Sequence, residues 1–285
     1  MKKNTQKTLR LTIGWLYPDL MSTYGDRGNI IALTRRCTWR NIETEIVSVD
    51  QETHDKDIKK IDLLFGGGAQ DMEQDIVMRD LKGKKSEMIK QLIEAGKPAL
   101  FVCGAPQIMG NFYEPAVGKR IEGLGIFDME TINPGPDKPR LIGNIVAEVN
   151  WDNLQKNVIA NEVKQSHKIA SSVAFGDTPR NDNFIVGFEN HGGRTLLGPR
   201  AKPFAKVIQG FGNNADDGTE GVVYKNAIGC YFHGPLLPKN PHIADFLVKR
   251  ALEVKYKKEI TLPPLDDTLE WQAHNAIVKR LGVSV

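Results

Sequence analysis

The sequence of 285 residues lacks several features that would place it in a broad class of protein. It has no run of about eighteen apolar residues, so no membrane span is predicted, and Gly14, Pro18 and Asp19 interrupt the apolar stretch after its basic start, which excludes a signal peptide. Its formal net charge of +3 is too small to indicate a nucleic-acid partner. Its three cysteines form no CxxC pair, which is typical of a reducing, cytoplasmic protein.

Motifs for phosphates and metals are missing too. Neither GxxxxGK[ST] nor GxGxxG occurs, so no nucleotide cofactor is predicted for this chain. A zinc site built from Cys103, Cys230 and His233 would lack a fourth ligand, and no metal is predicted. Whatever chemistry the chain performs is therefore expected to rely on its own side chains.

The first third of the chain alternates strand and helix patterns. Apolar residues recur at helical spacing from Asn29 onwards and again over 86–98. Short apolar runs predict strands at 10–17, 44–49, 61–68 and 98–103. Because these runs are continuously apolar rather than alternating, they indicate an α/β fold with a mostly parallel sheet and helices on both faces.

The rest of the chain consists of short predicted strands and turns, followed by two helical patterns. No linker composition separates two domains, so residues 1–285 are predicted to form a single domain. Within it, the polar and weakly periodic stretch 151–183 is predicted to be a surface insertion. Residues 267–282 are predicted to form a C-terminal helical extension.

Cys103 ends a predicted strand and is followed at once by Gly104. In doubly wound sheets, ligands bind at the carboxyl ends of the strands, where this cysteine lies. A thiol at a helix N-terminus has a lowered pKa, and a fall of one to two units from about 8.5 makes it largely reactive. A cysteine in an apolar run is also commonly a buried core residue. The residues alone therefore do not decide whether Cys103 is a nucleophile or part of the core.

His233 is the histidine best placed to serve such a nucleophile, because it ends the predicted strand AIGCYFHG. Alternation along that strand places Cys230 on the opposite face and predicts a core position for it. Gly66, Gly67 and Gly68 follow another predicted strand and could bring backbone N–H groups close to a ligand. On their own, the three glycines indicate no more than a turn.

Seven segments together resemble the class I, triad-type glutamine amidotransferases. They are LYPDLMSTYGDRGNIIAL (16–33), LFGGGAQDMEQD (64–75), CGAPQ (103–107), EGLGIFD (122–128), PRLIGNIV (139–146), GFENHGGRT (187–195) and YFHGPLLPKN (231–240). The chain is similar to the cobyric acid synthase-like branch, and within it to the amidotransferase subunits of lipid II isoglutaminyl synthases. The resemblance covers nearly the whole chain and implies a flavodoxin-like fold.

The resemblance implies a role for several residues. Cys103 would be the nucleophile and His233 its general base, and the backbone N–H groups of Gly67, Gly68 and Gly104 would form the oxyanion hole. The glutamine substrate would be held by two further side chains, Gln107 and Arg140. Arg140 would pair with the substrate α-carboxylate, although without the resemblance a solvated charge at a strand edge is the favoured interpretation.

The sequence departs from the family pattern at the support of the histidine. Most triad amidotransferases carry a glutamate two residues past it, but this chain has Pro235 there. Asp19, Asp26 and Asp71 lie in turns that could approach His233, and no spacing argument selects one of them. The resemblance suggests an aspartate from a partner subunit, which would leave the isolated chain with an incomplete site.

The predicted function is hydrolysis of L-glutamine through a cysteine thioester, with the ammonia passed to a separate synthetase. Since amidation of a carboxylate requires activation, ATP and Mg²⁺ are expected on that partner. The resemblance implies a Mur-ligase-like partner that amidates the D-glutamate α-carboxylate of lipid II in peptidoglycan synthesis. One alternative is another acceptor, such as a corrinoid carboxylate. The other is a non-catalytic scaffold, because relatives carry glycine and an aromatic residue where this elbow has Ala105 and Pro106.

Overall fold

The computed structural model describes residues 8–155 and 181–283. The strands are β1 (Arg10–Leu16), β2 (Glu43–Val49), β3 (Leu63–Gly66), β4 (Ala99–Val102), β5 (Phe112–Glu114), β6 (Ile121–Glu122), β7 (Met129–Ile132), β8 (Leu141–Val149), β9 (Phe184–His191), β10 (Arg194–Leu197), β11 (Ala205–Gln209), β12 (Thr219–Glu220), β13 (Val222–Tyr224) and β14 (Ala227–Cys230). The helices are α1 (Arg27–Thr38), α2 (Asp55–Lys59), α3 (Asp71–Leu81), α4 (Lys84–Glu94), α5 (Gly104–Met109), α6 (Trp151–Gln155), α7 (Pro241–Tyr256) and α8 (Thr268–Arg280). None of the helices in these two stretches is long and apolar enough to cross a membrane.

The central sheet has six strands in the order β13-β14-β4-β3-β1-β2. Five of them run parallel, and β13 pairs antiparallel with β14 at one edge. The order β2-β1-β3-β4-β14 is that of flavodoxin-like folds, in which ligands bind at the carboxyl ends of the strands. The predicted parallel α/β sheet is confirmed, and the four predicted strands of its core lie within two residues of the observed ones.

Helices cover both faces of the central sheet, as the sequence predicts. Helices α1 and α7 pack on one face in a core that includes Leu33 and Leu247. Helices α3, α4 and α5 cover the other face in a second core that includes Ile89 and Ile108. Burial on both faces explains why the segments of β1, β3 and β4 are continuously apolar, whereas β2 lies at the edge of the sheet and is largely exposed.

Two four-stranded sheets flank this layer. The first has the order β10-β7-β5-β6, and the second, here called the outer sheet, has the order β12-β11-β8-β9 and is antiparallel throughout. Helix α8 packs against the outer sheet where Val278 meets Val146 and Val186. The predicted C-terminal extension is therefore a helix attached to the body of the protein.

The prediction that residues 151–183 form a surface insertion is wrong for residues 151–155. Residues 151–155 form α6, and Leu154 is fully buried in the core rather than exposed. The Trp151 indole N–H donates to the carbonyl of Asp182 at 3.2 Å, so the two described ends of the stretch lie side by side. Residues 156–180 lie outside the described residues, and for them the insertion stays a prediction.

Candidate active site

Cys103 occupies a strained turn between β4 and α5. Its φ of 53° and ψ of −99° fall outside the regions that a side chain other than glycine readily adopts. Such strain costs about 1–3 kcal/mol and persists where the surrounding structure enforces it, often at functional sites. Here the Cys103 N–H donates to the carbonyl of Cys230 at 2.8 Å, which fixes the elbow to the neighbouring strand. The thiol is half-buried at the carboxyl edge of the sheet.

The strand order brings three loops together at this edge. Strand β4 lies between β3, which leads into Gly67 and Gly68, and β14, which leads towards His233. A Cβ on Gly104 would lie 2.8 Å from the backbone nitrogen of Ala69, so the elbow touches the glycine turn. A Cβ on Gly68 would lie 2.8 Å from Cε1 of His233. The predicted nucleophile, base and glycine turn are thus neighbours, although their catalytic roles stay predictions.

His233 is held by a different element from the one predicted. Strand β14 ends at Cys230, so the predicted alternation from 230 to 233 does not apply. Instead, the His233 N–H donates to the carbonyl of Phe188 in β9 at 2.7 Å, and the Phe188 N–H donates back at 3.3 Å. The core position predicted for Cys230 is confirmed, because this thiol is fully buried and burial raises its pKa well above the ordinary value.

Asp26 is the acid that contacts His233. Its Oδ1 lies 3.3 Å from Nδ1 of the imidazole, and both side chains are fully buried. Asp26 comes from the connection between β1 and α1, whereas Asp19 is exposed and Asp71 accepts a hydrogen bond from the Tyr113 hydroxyl at 2.8 Å. An aspartate of this chain therefore lies beside the histidine where the sequence alone selected none, and the contribution of an aspartate from a partner subunit stays a prediction.

The surroundings of His233 favour its protonated form. Burial acts to lower its pKa, but the negative charge of Cys103 and the hydrogen bond and charge of Asp26 outweigh burial and raise the pKa to about 10. A carboxylate on one side and a thiolate on the other stabilise an imidazolium between them. The arrangement can therefore hold a thiolate–imidazolium pair.

The second oxygen of Asp26 binds the glycine turn. Its Oδ2 accepts the N–H of Gly68 at 2.6 Å, while the carbonyl of Gly68 accepts from the backbone N–H of Thr23 at 3.1 Å and from its hydroxyl at 2.9 Å. Gly68, predicted to donate to an oxyanion, thus donates to a carboxylate in this structure. Gly104 lies in the first turn of α5, where a helix leaves N–H groups without a partner inside the helix.

Gln107, one of the two predicted substrate-binding residues, lies behind the elbow. Its side chain is buried, accepts a hydrogen bond from Gln74 at 2.9 Å and donates to the Tyr231 hydroxyl at 3.4 Å. The Tyr231 hydroxyl in turn bonds that of Thr195 at 2.5 Å. The structure places Gln107 in a buried polar network with Gln74 and Tyr231, and direct contact with substrate stays a prediction.

Arg140, the second predicted substrate-binding residue, lies on the rim of the site just before β8. It donates to the side-chain oxygen and to the carbonyl of Asn190, both at 3.0 Å. The Asn190 amide donates to the Tyr24 hydroxyl at 2.9 Å, and the edge of the Tyr24 ring meets His233 with 4.9 Å between ring centroids. Arg140 is thus exposed but connected to His233 through Asn190 and Tyr24, and it has N–H groups beyond the two that bind Asn190.

Comparison with known proteins identifies the family. Residues 12–241 match the CobB/CobQ-like glutamine amidotransferase domain. The chain belongs to this family. One crystal structure of a glutamine amidotransferase superposes with a TM-score of 0.52 at 11% sequence identity, covering 84% of this chain and 98% of the other, which shows the fold alone.

Two relatives match this amidotransferase over most of their length. Both are named lipid II isoglutaminyl synthase (glutamine-hydrolyzing) subunit GatD. The one from Streptococcus pneumoniae is 39% identical over 91% of this chain and 87% of its own length, and the one from Staphylococcus aureus is 37% identical over 95% and 96%. A probable cobyric acid synthase of Methanothermobacter thermautotrophicus is 31% identical, but over only 48% of this chain and 23% of its own.

The sequence did not single out a cluster of buried titratable groups behind the amidotransferase site. His191 stacks on Tyr231 with 4.0 Å between ring centroids, and burial lowers its pKa to about 3. Burial also raises the pKa of Glu189 to about 7 and that of Glu220 to about 8. The signal that could have found Glu189 and His191 is alternation along β9, which places both on the buried face with Ile185.

Proposed function

We propose that this glutamine amidotransferase hydrolyses L-glutamine at Cys103 and supplies the ammonia to a separate ATP-dependent synthetase. The observation that carries the proposal is the strained Cys103 elbow beside a fully buried His233–Asp26 pair. A nucleophile, a base and an acid that orients the base are the parts that acyl transfer requires. A non-catalytic scaffold would not require the strained backbone at Cys103 or the buried His233–Asp26 pair.

The first half-reaction forms a thioester. The thiolate of Cys103 attacks the side-chain amide carbon of glutamine, while the thiol proton resides on His233. As the tetrahedral intermediate collapses, its C–N bond breaks and the imidazolium gives that proton to the leaving nitrogen. Ammonia departs, and a γ-glutamyl group stays bound to the sulfur. Asp26 stabilises the imidazolium and fixes the orientation of its ring.

The second half-reaction releases glutamate. A water molecule attacks the thioester carbon, and His233 accepts a proton from it. The C–S bond then breaks, the proton returns to the sulfur or remains on the imidazole, and Cys103 is free for another cycle. Both tetrahedral intermediates carry a negative oxygen, for which we infer backbone donors at Gly104 and in the Gly67–Gly68 turn.

We infer that Arg140 binds the α-carboxylate of glutamine, because its guanidinium lies on the rim and Asn190 fixes two of its N–H groups. Gln107 lies deeper and is bonded to Gln74 and Tyr231. We infer that it closes the end of the pocket beneath the reacting amide. Arg140 thus determines recognition of the amino-acid head, and Gln107 shapes the site around the nucleophile.

We further infer the acceptor from the relatives. Two proteins named as subunits of lipid II isoglutaminyl synthase match at 39% and 37% identity over most of both chains, whereas a cobyric acid synthase matches over 23% of its length. The proposed partner is a Mur-ligase-like subunit that binds ATP and Mg²⁺ in the cytoplasm. It would amidate the D-glutamate α-carboxylate of lipid II with ammonia released at Cys103.

The test is amidation of lipid II by the chain together with its co-expressed synthetase, with glutamine or an ammonium salt as the nitrogen source. In the Cys103→Ala variant, glutamine-dependent amidation is lost and ammonia-dependent amidation persists. Glutamine-dependent amidation by that variant would overturn the proposal for Cys103. Amidation of a corrinoid carboxylate, with lipid II unchanged, would assign the acceptor to the alternative instead.

A further inference from the structure

We propose, on the basis of the function proposed above, that Gln74 is a positioning residue for the oxyanion hole of this amidotransferase. Its side-chain amide joins the carbonyl of Ala69, directly after the glycine turn, to the side chain of Gln107 in α5. The turn and the elbow each carry part of the inferred hole, and they belong to two separate loops. Gln74 fixes the spacing between these loops and so acts on both tetrahedral intermediates through its neighbours.

Gln74 lies in the first turn of α3, the helix that begins at Asp71 just after the glycine turn. Its backbone N–H donates to the carbonyl of Gln70 at 2.9 Å, so the helix fixes its backbone. Because side chains on a helix tilt towards its N-terminus, that of Gln74 points back towards the glycine turn. There its Nε2 donates to the Ala69 carbonyl at 3.2 Å, and the residue is only 1% exposed. The bridge therefore starts from a rigid and buried position.

The two acceptors determine the orientation of the Gln74 amide. A backbone carbonyl can only accept, so the atom that faces Ala69 must be the nitrogen. The same nitrogen donates to Oε1 of Gln107 at 2.9 Å, which leaves the Gln107 nitrogen to donate to the Tyr231 hydroxyl at 3.4 Å. Tyr231 stands two residues before His233. A chain of hydrogen bonds with one direction thus connects the glycine turn, the elbow helix and the segment that carries the base.

The bridge crosses the place where the turn and the elbow touch. A Cβ on Gly104 would lie 2.8 Å from both the backbone nitrogen and the carbonyl oxygen of Ala69, and 3.2 Å from Nε2 of Gln74. This steric contact prevents the two loops from moving closer, but it does little to hold them together, because each van der Waals contact contributes little. The two hydrogen bonds of Gln74, which are buried and therefore stronger than in water, hold the loops at that distance.

The spacing matters because the donors of an oxyanion hole act on a single oxygen atom, which they bind at about 2.7–3.1 Å. A displacement of about 1 Å can lower the rate by about 10²-fold. The thiolate depends instead on the pairing of Cys103 with His233, and the Gln74 amide bonds Ala69 and Gln107 rather than either of these two. Loss of the bridge therefore lowers kcat while the reactivity of the thiol persists.

The test removes the donors of Gln74 and keeps the length of its side chain. Gln74→Met has no donor and Gln74→Glu has at most one, and both residues are good helix formers. Val77→Ala is the matched control, because it removes buried atoms from the same helix and leaves the bridge intact. With the synthetase present, we expect kcat for glutamine hydrolysis to fall by about 10- to 100-fold in both Gln74 variants, with a smaller change in KM. Val77→Ala should stay close to wild type.

Alkylation of Cys103 by iodoacetamide separates positioning from a general loss of structure. The reaction needs the thiolate and not the oxyanion hole, so its rate should be the same in wild type and in all three variants. Mass spectrometry of the Cys103 peptide measures it. An unchanged kcat in a folded Gln74→Met or Gln74→Glu protein, or alkylation that slows as much as kcat falls, overturns the proposal.

The double variant Gln74→Met/Gln107→Met tests the second end of the bridge. Two residues that act independently give fold losses that multiply, whereas residues in one hydrogen-bond network are coupled. We expect the double variant to lose less kcat than the product of the two single losses. Losses that multiply would also overturn the proposal. Failure of the proposed function looks different, since wild type would then hydrolyse no glutamine even with its synthetase.

Discussion

Pro235 packs directly against Gly28: a Cβ on Gly28 would lie only 2.4 Å from Cγ of Pro235. Pro235 stands two residues after His233, where the family resemblance predicts a glutamate. Gly28 stands two residues after Asp26, in the first turn of α1. Pro235 therefore stands where the usual acid would be and packs against α1 instead. This contact brings α1 near enough for Asp26 to reach His233.

Gly28→Ala tests this contact. The added methyl group forces α1 and the rigid Pro235 ring apart, which costs about 1–3 kcal/mol of stability and moves Asp26 away from His233. We expect kcat for glutamine hydrolysis to fall while KM changes little, because Arg140 is not disturbed. The control is Gly143→Ala in β8, where the nearest atom to a new Cβ is 3.9 Å away. Equal effects of the two substitutions would contradict the account.

Asp26→Asn tests the assignment of the acid. The amide cannot accept from both His233 and Gly68 as the carboxylate does, and it lacks the charge that stabilises the imidazolium. We expect kcat to fall by about 10²- to 10⁴-fold. Asp19→Asn and Asp71→Asn, the other two candidates from the sequence, should retain activity close to that of wild type. A fully active Asp26→Asn enzyme would place the supporting acid elsewhere.

Glu220→Gln tests the buried acid cluster through the pH dependence of stability. The pKa of Glu220 is raised from 4.5 to about 8 by burial, so the folded state binds a proton that the unfolded state releases between these values. Its favourable contribution is present below pH 4.5 and is lost as the pH rises towards 8. Glutamine at this position keeps the acceptor for the Tyr231 N–H, which Glu220 bonds at 2.7 Å, and carries no charge.

The free energy of unfolding of Glu220→Gln, measured by denaturant titration, should therefore exceed that of wild type by a margin that grows from pH 4.5 to 8 and is constant above. Glu122→Gln, whose side chain is 67% exposed in wild type, should show no such trend. A margin that shrinks with rising pH would mean that Glu220 is stabilised as a carboxylate.

Arg36→Met tests how the C-terminal helix is attached. The buried Arg36 guanidinium bonds Asp245 of α7 at 2.6 Å and Asp267, which precedes α8, at 2.5 Å. Removing it leaves the buried Asp267 carboxylate without its partner, and breaking such a pair costs about 3–5 kcal/mol. Arg35→Met, at the exposed neighbouring position, should change stability by less than about 0.5 kcal/mol. With the single domain that the sequence predicts, unfolding should remain one cooperative transition in both variants.

Local patterns predicted most of the central sheet. Continuous apolar runs located β1, β3 and β4, because strands buried on both faces leave that signal in a short window. Strand β2 was located by its short apolar run, although it lies at the edge of the sheet and is largely exposed. Helix α3 went unpredicted although Gln74, Val77, Met78 and Leu81 recur at helical spacing on its buried side. Residues 231–233 were assigned to a strand because they continue an apolar run, whereas the chain leaves β14 at Cys230 to pair with β9.

The sequence predicts those residues of the candidate site whose position follows from the strand that they end. Cys103 and the glycine turn each follow a strand, so their meeting at one edge follows from a parallel sheet. Asp26 was one of three candidates, since its approach to His233 depends on a packing contact between α1 and Pro235 that no local pattern contains. The bond from Gly68 to Asp26 was unpredictable for the same reason: it joins residues 42 positions apart through the shape of two loops.

Trapping the covalent intermediate tests the central claim, that Cys103 is the nucleophile. Turnover with glutamine is quenched in acid, and mass spectrometry of the intact chain and of its peptides locates any added γ-glutamyl group. We expect this group on the Cys103 peptide in wild type and in the core variant Cys230→Ala, and no label in Cys103→Ala. A γ-glutamyl group on any other residue, or continued glutamine hydrolysis by Cys103→Ala, would contradict it.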